Sequence, residues 1–148
     1  MSTKDRILED VKVAMRARNR ERLGALRLVT AAIKQREIDE RVTLDDAGVL
    51  AVLDKMLKQR LDSREQYAAA GREDLAGQED FEIRLIREYL PEPLSEEAVR
   101  EQIELAVTEA GAAGPRDMGK VMGLLKPRVQ GRADMKAVSA LVKERLSG

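Results

Sequence analysis

Residues 117–134, DMGKVMGLLKPRVQGRAD, set glycines and cations around a proline between two short amphipathic segments. Met118, Val121, Met122, Leu125 and Val129 recur at the three-to-four residue spacing of a helix, so this stripe is predicted to pack inward. Lys120, Lys126, Arg128 and Arg132 fall off the stripe or in the turn. Pro127 is expected to break the first segment, with the helix running roughly from Met118 to Lys126, and Gly131 to shape the turn. Asp134 can cap the last helix, whose first amides would point at the same corner. Such a corner suits an anion.

Outward from it the whole chain reads in the helical period, with seven helical patterns and no convincing strand. Ile7, Leu8, Val11, Ala14 and Met15 mark a first helix with Ser2 and Asp5 at capping distance. Leu23 to Ile38 is apolar over a wide arc, as a helix among several neighbours would be. Thr43 and Asp46 have cap spacing before a third stripe from Val49 to Leu61, which Gly71 is expected to stop. A fourth helix carries Leu75, Ile83, Ile86 and Leu90 up to Pro91 and Pro93, which oppose continuation. Ser95 then caps a helix lined by Val99, Ile103, Ala106 and Val107 and ended by Gly111, and two shorter helices follow. The predicted fold is all-α, a four-helix N-terminal domain over residues 1–93 and a three-helix C-terminal domain over 94–148.

Composition narrows the chemistry. Cysteine and histidine are both absent, so disulfides, a thiol nucleophile, a Ser-His-Asp triad and the usual zinc sites are excluded. No cofactor and no metal are expected. The 27 basic and 27 acidic side chains cancel, yet they segregate along the chain. Residues 1–42 net +4, residues 43–93 net −5, residues 94–115 net −4 and residues 116–148 net +5. A neutral total therefore coexists with basic blocks that can attract a polyanion. With neither a signal peptide nor a membrane-spanning run in view, the cytoplasm is the default expectation.

A second basic feature lies in the N-terminal part, where Arg20, Arg27, Lys34 and Arg41 recur every seven residues with Gly24 and Ala31 between them. If helical throughout, they share one face about 30 Å long. Glu37 is spaced to pair with Lys34 or Arg41, whereas Arg27 has no acid at helical spacing. An ordinary solvated face is the competing reading. For Gly119 and Gly123, four apart on one helix and each costing roughly 1 kcal/mol of propensity, close helix packing competes with a bare surface for a sugar-phosphate backbone. Gly131 and Asp134 can likewise be mere caps, with the cations around them solvated.

The chain resembles the GatB/YqeY-like family over essentially its whole length. The resemblance rests on Arg27-Leu28 with residues 31–37, AAIKQRE, on residues 70–75, AGREDL, on Tyr89-Leu90-Pro91 and on the entire 117–134 corner. The C-terminal part is also similar to the tail domain of the B subunit of the tRNA-dependent amidotransferase, through residues 119–122, GKVM, and 131–134, GRAD. In those larger proteins the tail grips tRNA away from the reacting end, and the resemblance implies tRNA as a partner here. Gly119, Lys120, Gly123, Lys126, Arg128, Gly131 and Arg132, with Arg20, Arg27 and Lys34, are then the expected RNA-binding residues. Nothing in the chain corresponds to the catalytic portion of the amidotransferase, and no phosphate-binding loop or glutaminase nucleophile is visible. A tRNA or aminoacyl-tRNA accessory protein is the first reading. A protein adaptor docking onto an aminoacyl-tRNA synthetase or amidotransferase is the second, and an autonomous glutamine-dependent carbon-nitrogen ligase the third.

Overall fold

A computed structural model describes residues 1–148 as an all-α chain of seven helices joined by turns, with one 3-10 turn and no strand. The helices are α1 (Thr3–Arg16), α2 (Arg20–Glu40), α3 (Asp46–Ala69), α4 (Glu73–Arg87), α5 (Glu96–Ala110), α6 (Met118–Val129) and α7 (Met135–Ser147), and the 3-10 turn is Pro115–Asp117. Contacts divide the chain into two compact units, Met1–Leu90 and Pro91–Gly148. The second begins at Pro91 because its strap is tied down locally: the Leu94 amide donates to the Arg132 carbonyl at 2.7 Å, and Arg132 Nε donates to the Glu92 carbonyl at 3.1 Å.

In the first unit Ile7, Leu26, Val29, Val49, Leu53 and Ile86 are almost wholly removed from water. The pairing of charges gives the helix directions. Lys4 near the start of α1 reaches Glu37 near the end of α2, and Asp10 approaches Arg22 near the start of α2, so the two run antiparallel. Arg60 meets Glu82 and Arg64 meets Asp80, which makes α3 and α4 antiparallel as well. Tyr89 closes this core. Its ring is buried under the Arg6 guanidinium, 5.4 Å from the centroid, and its hydroxyl donates to Asp10 Oδ2. Burial and this carboxylate acceptor together hold the phenol far above its ordinary range. Removing the hydroxyl in Tyr89→Phe is expected to cost about 1–2 kcal/mol, read as a lower urea midpoint with unchanged m-value.

Caps follow the sequence reading in most places. Ser2, Asp134 and Ser95 side chains accept from the Asp5, Lys136 and Ala98 amides, and Gly111 ends α5 in the left-handed region at φ 62. Two local expectations are corrected. α3 is capped by Asp45, which accepts from the Gly48 amide, while Asp46 is drawn away to the Thr3 amide, so Thr43 is no cap. Pro127 does not break α6, which continues to Val129 because Val129 completes the buried stripe of Val121 and Leu125 and outweighs one missing amide near a helix end.

Glu37 also departs from its expected partner. Its carboxylate takes Lys4 Nζ at 2.7 Å and the Leu44 amide at 2.8 Å, joining α1, α2 and the loop into α3, and so leaves Lys34 alone. The Lys4 hydrogen bond first, then the amide, hold this carboxyl below the usual range. A depressed carboxyl stabilises the fold above the unfolded value of about 4.3 and loses that contribution as pH falls through its folded value. Glu37→Gln is therefore expected to show a shallower loss of stability than the parent on acidification below about pH 4.5, measured by urea unfolding at several pH values.

Candidate nucleic-acid interface

In the second unit Val121, Leu125 and Val129 of α6 pack with Val99, Ile103 and Ala106 of α5 and Val138 and Val142 of α7, and no polar residue is buried. Burying that stripe turns the opposite side of α6 outward, where Gly119, Lys120, Gly123, Lys126 and Pro127 are all exposed. A Cβ built on Gly119 or Gly123 would meet nothing within 4 Å. Close packing is thus not what these glycines serve. They leave a bare strip of backbone with Lys120 on one flank and Lys126 on the other.

The cations of the corner separate into two kinds. Arg128 is turned back onto α5, its Nη2 2.6 Å from Glu109 Oε2, and Arg132 is spent on the Glu92 carbonyl. Arg100 and Arg145 are paired with Glu96 and Glu104. Lys120, Lys126 and Arg116 have no ion pair. Arg116, in the turn that leads into α6, lies one residue outside the stretch singled out from sequence; its place beside Asp117 was the available signal. The Asp117 carboxylate accepts from the Ala113 amide at 2.8 Å. That bond first, then the Gly114 amide and the nearby Lys120 and Arg116 charges, hold it below the ordinary carboxylate range.

At the start of α7 Asp134 caps the helix as expected, accepting from the Lys136 amide at 3.1 Å, so a carboxylate already stands where an anion would meet the first amides. Gly131, at φ 78, supplies the left-handed turn that reverses the chain before α7. The corner thus carries the unpaired side-chain charges of Lys120, Lys126 and Arg116 beside the exposed backbone of Gly119 and Gly123.

In the first unit Arg20, Arg27 and Lys34 are exposed on α2 without ion pairs, but Arg41 is not on that helix. It stands at the left-handed C-cap, φ 55, where the row ends. No group of side chains is arranged to hold a metal ion, and no helix is long and apolar enough to cross a membrane.

A family model described as "Yqey-like protein" matches residues 4–146. The chain belongs to the YqeY-like family. Among curated proteins, similar relatives are named "Altered inheritance of mitochondria protein 41, mitochondrial". The one from Pyrenophora tritici-repentis is 28% identical over 94% of this chain and 78% of its own length. Those from Vanderwaltozyma polyspora and Lachancea thermotolerans are 37% and 32% identical over 55% and 72% of this chain. The matched region spans only 45% and 59% of those two YqeY-like relatives. The expectation of a cytoplasmic protein is corrected by these names: the YqeY-like relatives are called mitochondrial, and the absence of a recognisable leader was too weak a signal to assign a compartment.

Because neither glycine of the strip touches a neighbour, adding a methyl group there should relieve backbone entropy without a clash. Gly123→Ala is expected to raise the stability of the YqeY-like chain by about 0.5–1 kcal/mol in urea unfolding, and Gly119→Ala, in the first turn, by less.

Proposed function

We propose that this chain is an accessory protein that binds tRNA or aminoacyl-tRNA, with the C-terminal unit gripping the sugar-phosphate backbone on the outer face of α6. The observation that carries the reading is the pair of open glycines between two unpaired lysines. A phosphate chain can settle against backbone there, and Lys120, Lys126 and Arg116 can meet it without first breaking an ion pair. Similarity of residues 119–122 and 131–134 to the amidotransferase tail adds support. Base stacking has little part, since the three aromatic residues, Tyr67, Phe81 and Tyr89, all lie in the other unit. The same reading takes α1–α4 and α5–α7 as separate four-helix and three-helix domains, the second being the RNA-binding one. On this reading amide transfer belongs to a larger partner, since residues 94–148 resemble the tail of the amidotransferase subunit.

Arg128 and Arg132 belong to the scaffold of the site more than to its contact surface, so about three cations remain for phosphate. Filter binding of total tRNA over a range of salt is then expected to give a log-log slope of roughly −2 to −3. Lys120→Ala with Lys126→Ala should flatten it by about two, while Arg128→Ala should leave it nearly unchanged. A parent slope near zero would reject phosphate contact.

A further inference from the structure

All the exposed large apolar side chains except Leu105 lie within residues 1–42, the same block that nets +4. One of them, Leu8, lies beside unpaired cations. The antiparallel α1 and α2 enclose a groove of about 450 Å³ lined by Ile7, Leu8, Ala31 and Ile33, with Arg27 and Lys34 on its rim. Leu8 is 43% exposed and, on the outer side of α2, Leu28 is 47% and Ile38 60% exposed. Lys4, also at the groove, is neutralised by Glu37, and that pairing is what leaves Lys34 free.

We propose that the groove between α1 and α2 is a docking site for an acidic amphipathic helix of a partner protein. An apolar floor between two antiparallel helices accepts the apolar stripe of a third. Arg27 and Lys34 stand seven residues apart, two helical turns, so carboxylates two turns apart on the incoming helix meet both. A neutral or basic helix would bury these cations without partners, which is costly. Phosphate backbone fits less well, because it offers nothing apolar to cover the exposed Leu8. The site uses other residues and another unit than the tRNA surface, and stands without it.

The test uses the full chain and a fluorescent synthetic helix of about five turns, with leucines at i, i+3 and i+7 flanked by glutamates. Controls are the same peptide with lysine for each glutamate, vesicles of phosphatidylcholine doped with phosphatidylglycerol, and total tRNA. The acidic peptide is expected to bind roughly tenfold or more tighter than the lysine peptide, to lose roughly tenfold in R27E/K34E and in L8S, and to be unaffected by K120A/K126A. Retained helicity by circular dichroism establishes that the variants fold. No binding, equal binding of both peptides, or binding that survives R27E/K34E overturns the proposal. So does a groove that takes vesicles in preference to the peptide, or tRNA binding that is lost in R27E/K34E but kept in K120A/K126A. Failure of the tRNA reading alone appears differently, as acidic-peptide binding with a flat tRNA salt profile.

Discussion

Both units are filled almost wholly by aliphatic side chains, Tyr89 being the one buried aromatic ring, and no charged residue lies inside; this constraint governs everything else about the molecule. When 36% of residues are charged and none can be buried, every charge must be placed on the surface, and the helix periods decide where. The apolar stripe of each helix fixes its rotation, and the rotation fixes which lysines and arginines face water. A second selection, made by the carboxylates, decides which of those cations are already engaged.

That selection is visible in two pairs. Glu37 chooses Lys4 across the α1–α2 contact in preference to Lys34 on its own helix, because the Leu44 amide shares the same oxygen and fixes the carboxylate toward the loop. Glu109 draws Arg128 back toward α5 and fastens α6 to it. Each pair stiffens a helix contact and, by the same act, leaves a neighbouring lysine without a counter-charge. The Arg128–Glu109 pair, exposed as it is, contributes little to stability, on the order of 0–1 kcal/mol, so its larger effect is on the electrostatic surface.

Sequence alone carried the helices and most caps, because a period of 3.6 and a Ser or Asp before it are local signals. The stripes of α5 and α6, the N-caps Ser2 and Ser95 and the turn at Gly131 were all readable. What was not readable depended on partners distant in the chain. Asp46 was unavailable as a capping partner because the Thr3 amide claims it from 43 residues away, and Glu37 was claimed by a lysine 33 residues away. At the candidate site, spacing identified Gly119, Lys120, Gly123 and Lys126 as neighbours but could not distinguish open glycines from packed ones, nor engaged arginines from free ones. Pro127 misled for a related reason: the rule for a proline is local, while the burial of Val129 that carries α6 past it is tertiary.

Pro127 has one more effect. With no amide hydrogen, it cannot satisfy the carbonyl of Gly123 one turn earlier, and that carbonyl belongs to the exposed strip of α6. In place of that donor stands the Pro127 ring itself, which crowds the carbonyl four residues back. The ladder is thus one rung short in the last turn of α6, and that turn is held instead by the burial of Leu125 and Val129.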